Sequence, residues 1–454
     1  MTHDQALETL AAHNQSHVFR FWDRLDDEQR SSLLKQIEDI DFNELERTRD
    51  LLREGAHDRP ADVTGIQPPD IRAPDAAERD AARGAGEDAL RAGRVGVILV
   101  AGGQGTRLGF DGPKGAFPIG PVTDRPLFEI HARKILHLER AYATKVPFFV
   151  MTSQTNDAPT RAFFKRNAYF GLDPERVHFF RQGMWPALDP SGRMILDRPD
   201  HIFMSPDGHG GTLSALRRNG MLERMRADGL QTLFYFQVDN PLVEIGDPVF
   251  VGLHRKARAD ISLKVCAKRN AGEGLGVVAE KDGRNMIVEY SDLPDKLKNA
   301  ARPDGTLKFL YGSVAIHLFD FDFLEREAAA KLPLHIAHKP IPYCDDNGRT
   351  VKPEEKNGYK FEKFIFDVLP DADRVLNLPF GREEEFSPVK NAHGEDSPET
   401  CRRDLTRKYA RRLEACGINI PHDPSGNPEG PIEIDPALGL DPRGLKPHLA
   451  ADFE

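Results

Sequence analysis

Val97-Ile98-Leu99-Val100-Ala101-Gly102-Gly103-Gln104-Gly105-Thr106-Arg107-Leu108-Gly109, running on through Phe110-Asp111-Gly112-Pro113-Lys114-Gly115, decides how this chain is read. An apolar run with strand character opens into a turn with four glycines in eight residues, followed by one arginine and one lysine. Glycine lets backbone N–H groups come close to a ligand, and cationic side chains suit phosphate oxygens, so the expected ligand is a nucleotide. Two common phosphate loops fail on spacing. The dinucleotide fingerprint G-x-G-x-x-G fits Gly103 and Gly105 but meets Leu108 where its third glycine belongs, which sets aside a nicotinamide-dependent oxidoreductase. The Walker loop wants Gly-Lys-Ser/Thr, whereas Lys114 lies between Pro113 and Gly115. What remains is a longer loop in which Gly102, Gly103 and Gly105 allow close backbone approach and Pro113 rigidly presents Lys114.

Outward from this loop, short apolar runs at Val95–Ala101, Pro147–Met151, Val177–Phe180, Thr232–Val238 and Ile261–Val265 read as strands. Between the first two, Leu127, Ile130, Lys134, Ile135 and Leu138 recur at helical spacing. This cadence predicts an α/β fold with a largely parallel sheet covered by helices, and ligands in such sheets sit outside the carboxyl ends of the strands. Gly276–Ala279, Met286–Tyr290 and Gly312–Phe319 are more hairpin-like and extend the sheet with antiparallel strands, making it mixed. Residues 1–55 read as helical, Glu54–Asp75 as a polar linker, and 390–454, dense in Pro, Gly and charge, as a loosely specified piece. The expected division is a helical segment with linker at 1–90, a central nucleotide-sugar-binding catalytic domain at 91–385, and a small C-terminal domain at 386–454.

Composition narrows the function classes. Asp and Glu total 72 against 62 Lys and Arg, a net charge of -10, so no nucleic-acid partner held by bulk charge is expected and any anion must be gripped by local cations. No apolar run reaches the ~18 residues that span a bilayer, and the start Met1-Thr2-His3-Asp4 lacks a signal-peptide pattern, so the expectation is a cytoplasmic protein without a membrane partner. Cys266, Cys344, Cys401 and Cys416 lack C-x-x-C spacing and read as reduced thiols. The 16 histidines show no H-E-x-x-H spacing.

The glycine stretch resembles the signature of the sugar-nucleotide pyrophosphorylases. Its form, Leu-Val-Ala-Gly-Gly-Gln-Gly-Thr-Arg-Leu-Gly with Pro-Lys-Gly, is similar to the UTP-dependent branch that includes the UDP-N-acetylglucosamine and UDP-glucose pyrophosphorylases. Phe148–Ser153, Tyr169–Leu172, Phe179–Met184, Pro206–Gly211, Val238–Asn240, Val288–Ser291, Phe361–Asp367 and Phe386–Asn391 resemble that branch in its order, nearest to the N-acetylhexosamine type. The resemblance implies a Rossmann-like nucleotidyltransferase fold of GT-A-like type. The implied reaction is attack of a sugar 1-phosphate on the α-phosphorus of UTP, giving UDP-sugar and pyrophosphate, by a monomer or weak homo-oligomer.

Such a reaction needs no covalent intermediate, because the nucleophile is already an anion; the task is to join two polyanions and neutralise charge on the leaving group. The resemblance gives Gly102 and Gly103 to the nucleotide, Arg107 to leaving pyrophosphate oxygens, Lys114 to the α-phosphate and Lys390 to the sugar-phosphate side. Asp239, at the carboxyl end of an apolar strand, is the candidate ligand for Mg2+, which prefers a few hard oxygen ligands completed by water and substrate; its alternative is an Asp-Asn-Pro turn. Gln182 is similar to a residue that reads the uracil edge, and Glu289 to a carboxylate that bonds sugar hydroxyls. Gly208 and His209 lie in Asp-Gly-His-Gly-Gly, where the N-acetylglucosamine type has Asn for His, and Ser313 also stands where that type has Asn. Both departures point to altered or relaxed sugar selectivity, with glucose 1-phosphate used at least comparably to N-acetylglucosamine 1-phosphate. A catalytically silent UDP-sugar sensor on the same fold is the alternative, against which the joint presence of Arg107, Lys114, Asp239 and Lys390 argues.

Overall fold

The computed structural model describes residues 1–55 and 62–449; residues 56–61 of the expected linker and 450–454 of the expected C-terminal piece lie outside them. The chain divides into two compact units, each discontinuous in sequence. The smaller comprises Met1–Asp62, Gln182–Thr212 and Lys331–Asp367, and the larger comprises Val63–Arg181, Leu213–Ala330 and Val368–Glu454. These units replace the expected succession of three consecutive domains, for a reason visible in the packing.

The N-terminal helices His3–Ala12, Asp27–Glu38 and Phe42–Arg53 are amphipathic and have no core of their own. Thr2 with Gln5, and Asp26 with Gln29, form capping boxes that start the first two. Their buried Ala6, Leu10, Leu33 and Ile37 join Trp185, Leu188, Ile202 and Phe361 in one cluster, so the smaller unit needs all three of its stretches. The same logic applies at the other end of the chain. Ser397 caps the helix Pro398–Glu414, which sends Cys401, Leu405 and Tyr409 into the main core of the larger unit. The C-terminal piece is therefore part of that core and not a separate domain; its few apolar residues are interspersed with arginines and its buried face includes Thr406 and Lys408, which is why composition reads it as loose.

The larger unit is built on a nine-stranded mixed sheet. Val95–Val100 is an interior strand, parallel to Phe148–Thr152 on one side and to Thr232–Gln237 on the other, and Phe148–Thr152 is parallel to Val177–Arg181. Tyr311–Asp320 runs antiparallel to Thr232–Gln237 and also pairs with Ile261–Ala267, with a bulge between Ser313 and Ile316. Val277–Lys281 and Arg284–Val288 form the expected hairpin, and Val375–Phe380 adds parallel to Ile261–Ala267. The central strands are buried on both faces, as their nearly continuous apolar sequence requires. Helices Ala76–Arg91 and Pro248–Ala257 touch backbone to backbone: a Cβ on Gly86 would come within 1.9 Å of the Pro248 carbonyl oxygen, and one on Gly252 within 1.7 Å of that of Ala82. No helix among the described residues is long and apolar enough to cross a membrane. The four cysteines are free thiols.

Candidate functional site

Two parallel strands, Val95–Val100 and Thr232–Gln237, end side by side in the larger unit and release the glycine loop and Asp239 at the same edge of the sheet. The loop is folded on itself: Gly105 N–H donates to Gly112 O at 2.9 Å, Lys114 N–H to Gly103 O at 3.1 Å, and Phe110 N–H to Gly105 O at 3.1 Å. Gly105 and Gly115 are steric necessities. A Cβ on Gly105 would meet the Phe110 side chain at 2.7 Å, and one on Gly115 would enter the Phe128 ring at 2.2 Å. Gly103 differs, since a Cβ there would face open space, which suits close approach of a ligand to the backbone. Asn156, fully buried, donates from Nδ2 to Ala101 O at 2.8 Å and to Gly103 O at 3.2 Å, fixing the start of the loop.

Lys114 and Asp239 meet directly. The Lys114 ammonium lies 3.1 Å from Asp239 Oδ2, and both side chains are mostly but not wholly covered. Arg107 is exposed on the single 3-10 turn Thr106–Leu108. The Asp239 carbonyl accepts from Val389 N–H at 2.9 Å, which brings Lys390 beside it along the chain; the Lys390 ammonium stands 5.8 Å from the Phe386 ring centroid. Glu289 and Ser313 also share a neighbourhood, because Ser313 N–H donates to Gly276 O at 2.9 Å and a Cβ on Gly276 would lie 3.1 Å from Glu289 Oε1. Ser313 opens the bulge in its strand, where Ala315 takes φ of 56°. Such bulges redirect side chains at sheet ends.

The smaller unit holds the remaining candidates. Gln182 is buried, and its neighbour Gly183 accepts through its carbonyl from Asp207 N–H at 3.0 Å. Gly208 takes φ of 81°, and a Cβ there would come within 2.5 Å of the Lys363 carbonyl oxygen. Ile365 N–H donates to His209 Nδ1 at 3.1 Å, and the imidazole stacks on Phe364 with centroids 5.3 Å apart. Burial, with the nearby charge of His335, pulls the His209 pKa down to about 4, so its ring is neutral at ordinary pH. His209 is thus a packed, oriented side chain, one nitrogen of which is already spent on the backbone.

Asp239 supplies a single carboxylate, and among the described residues no group of three His, Cys, Asp or Glu is placed to hold a metal ion. A single carboxylate is a hard oxygen donor of the kind Mg2+ accepts, with the rest of the shell completed by water and substrate. Beneath the Asp239 loop lies a group of buried charges that the sequence reading passes over. Lys134 donates to Pro241 O at 2.5 Å and Val243 O at 2.7 Å, and burial together with the Lys408 charge lowers its pKa to about 7. Lys408 donates to Leu242 O and Glu384 O and pairs with Glu244. Against the cost of burial, the charges of Lys408 and Lys134 hold the Glu244 pKa at about 2. The signal for Lys134 was present, as a lysine standing in line with the apolar positions of its helix.

A family model described as UTP--glucose-1-phosphate uridylyltransferase matches residues 48–394. The human protein named UDP-N-acetylhexosamine pyrophosphorylase-like protein 1 is 36% identical over 471 residues, covering 96% of this chain and 92% of that protein. The Saccharomyces cerevisiae UDP-N-acetylglucosamine pyrophosphorylase is 39% identical over 350 residues, 74% of this chain and 73% of its own. The crystal structure of the UDP-N-acetylglucosamine pyrophosphorylase from Trypanosoma brucei superposes with a TM-score of 0.82 at 28% identity, covering 99% of this chain and 95% of that one. A UDP-glucose phosphorylase from the same organism, at 18% identity and a TM-score of 0.62, shares the fold. Matched along most of its length by sequence and by structure, the chain belongs to the UTP--glucose-1-phosphate uridylyltransferase family and is a nucleotidyltransferase.

Proposed function

We propose that this chain forms a UDP-sugar and pyrophosphate from UTP and a hexose or N-acetylhexosamine 1-phosphate by in-line attack of the sugar phosphate on the α-phosphorus. The observation that carries the reading is the Lys114–Asp239 pair at the carboxyl ends of two neighbouring parallel strands, beside a glycine loop whose Gly103 backbone is open. The strands that lead to the pair are buried and the loop bearing Lys114 is tied to itself by backbone hydrogen bonds, so the pair is formed before substrate arrives, as electrostatic catalysis requires. Lys114 faces charge on the α-phosphate, Arg107 stands free at the loop for pyrophosphate oxygens, and Lys390 serves the sugar phosphate. Asp239 is the residue that would hold Mg2+, which would supply neutralisation of phosphate charge. Glu289 and Ser313 address sugar hydroxyls, and Gln182 offers a donor and an acceptor in one plane to the uracil edge.

Two features favour relaxed sugar selectivity, with glucose 1-phosphate used at least comparably to N-acetylglucosamine 1-phosphate. His209 is an imidazole with Nδ1 already occupied where an amide would be free to pair, and Ser313 has a shorter reach than asparagine. The relatives named above for N-acetylglucosamine make that sugar the comparison substrate. The test is pyrophosphate release with UTP across a panel of sugar 1-phosphates, with and without EDTA. Metal-dependent release is expected; UDP-sugar binding without turnover would select the sensor reading instead.

A further inference from the structure

We propose that Asn240 is a positioning residue that sets Lys390 against Asp239, its side-chain amide standing in for a neighbouring strand. The inference rests on the assignment of Asp239 and Lys390 to the reaction. The segment Phe386–Lys390 belongs to no helix or sheet, so its backbone groups must be satisfied individually. Phe386 N–H donates back to Arg382 O at 2.8 Å, Pro388 has no N–H, and Lys390 N–H donates forward to Asp396 O at 2.7 Å. The two remaining donors both go to the Asp239–Asn240 turn. Ser387 N–H reaches Asn240 Oδ1 at 3.2 Å, and Val389 N–H reaches Asp239 O at 2.9 Å.

Asn240 completes the pattern by donating from Nδ2 to Glu385 O at 2.7 Å. One planar amide thus accepts from residue 387 and donates to residue 385, the two-residue alternation that a paired strand would show. Asn240, Glu385 and Ser387 are 4%, 6% and 4% exposed, so water does not replace these bonds. Lys408 clamps the same two segments one step further on, through Leu242 O at 2.8 Å and Glu384 O at 2.6 Å. The carboxylate at Asp239 and the lysine at Lys390 are therefore registered by a side chain that need not touch substrate.

A double-mutant cycle in the full-length enzyme tests this, using Asn240→Ala, Lys390→Ala and both, with kcat, KM for UTP and thermal unfolding measured for each. Misplacing a reacting group by about 1 Å costs on the order of 100-fold, so Asn240→Ala is expected to lower kcat roughly 10- to 100-fold while the UTP KM changes little. In the Lys390→Ala background the same change is expected to cost almost nothing more, because the two act as a unit. Additive losses in the cycle, or a lowered melting temperature with unchanged kcat, would make Asn240 merely structural and overturn the proposal. A Lys390→Ala enzyme of full activity overturns the assignment of Lys390 and the proposal with it, an outcome separable from additivity. Should Asn240→Ala fail to fold, Asn240→Asp keeps the shape and the acceptor for Ser387 but loses the donor to Glu385, and the same cycle with that variant decides.

Discussion

The Gly102–Gly115 loop of the larger unit leaves Arg107 exposed and pairs Lys114 with Asp239, whereas the Pro206–Gly211 loop of the smaller unit stacks the His209 imidazole on Phe364. Both loops use glycine for close backbone approach, at Gly105 and Gly115 in one and at Gly208 and Gly210 in the other. Their polar content differs in kind. The first carries fixed charge next to Asp239, and the second holds a neutral ring in a fixed orientation; on the function proposed above, the first would meet charge and the second shape. Rate should therefore depend on the charged loop of the larger unit, whereas selectivity should draw on His209 of the smaller unit as well as on Ser313 of the larger.

The largest effect is expected at the charged loop. A lysine facing charge that grows in the transition state acts on kcat more than on binding. Lys114→Ala is expected to lower kcat on the order of 10² to 10³, with a much smaller change in UTP affinity. Steady-state kinetics with a separate binding measurement checks this, and near wild-type kcat would remove Lys114 from the chemistry.

The next effect concerns the two residues proposed above to set sugar selectivity. Replacing His209 and Ser313 together by Asn restores two amides, and a site given a polar partner for one substrate discriminates through that partner. The double variant is expected to move the kcat/KM ratio toward N-acetylglucosamine 1-phosphate over glucose 1-phosphate by about 10- to 100-fold, since one bonded group is worth that much. A strong wild-type preference for the acetylated sugar, unchanged in the variant, would sink the selectivity proposal.

How these regions were legible differs as well. The glycine loop, the central strands and the hairpin follow from local pattern, because alternating glycine, apolar runs and charge are written in consecutive residues. The discontinuous units were hidden because the N-terminal helices bury their apolar faces against Trp185 and Phe361, partners no local window contains. The Asn240 and Lys408 clamp was missed for a related reason: its partners are backbone carbonyls and N–H groups, which leave no mark on the sequence. The Lys114–Asp239 contact spans 125 positions and was reachable only through the separate placement of each residue at a strand end.

A pH dependence sharpens the same contrast. Burial pulls the pKa of His209 down to about 4 in the smaller unit, and those of His131 and His254 to about 3 and about 4 in the larger. Burial lowers His17 in the smaller unit and His137 and His178 in the larger in the same sense. His131, His209 and His254 are neutral in the folded protein at ordinary pH, while in the unfolded chain they take up a proton near the ordinary value of 6.5. The unfolded state then binds more protons, so stability is full above pH 6.5 and is lost as pH falls toward the folded values. His131, His209 and His254 each contribute a slope of up to about 1.4 kcal/mol per pH unit within that window. His209→Gln, whose side-chain oxygen still accepts from Ile365 N–H, is expected to remove that slope from the smaller unit between about pH 6.5 and 4.5. Denaturant unfolding at several pH values measures it, and an unchanged slope would show that His209 is not neutral in the folded protein.

The smallest expected effect asks whether the two units lose structure separately. Both tryptophans, Trp22 and Trp185, belong to the smaller unit, so intrinsic fluorescence reports on that unit alone, while far-ultraviolet circular dichroism is dominated by the helices and sheet of the larger. Each unit offers a helix N-cap outside the candidate site residues. Asp26 accepts from Gln29 N–H at the head of Asp27–Glu38 in the smaller unit, and Ser397 accepts from Thr400 N–H at the head of Pro398–Glu414 in the larger. Removing either side-chain oxygen leaves a helix N–H without its partner and costs about 1 kcal/mol, or about 2–4 °C in a unit of this size. The units have separate apolar cores, which is the condition for separate transitions. Asp26→Ala is therefore expected to lower the fluorescence midpoint more than the dichroism midpoint, and Ser397→Ala to do the reverse. Equal shifts of both probes in both variants would mean one cooperative unit, and rate and selectivity would then share a common stability even where their chemistry is divided.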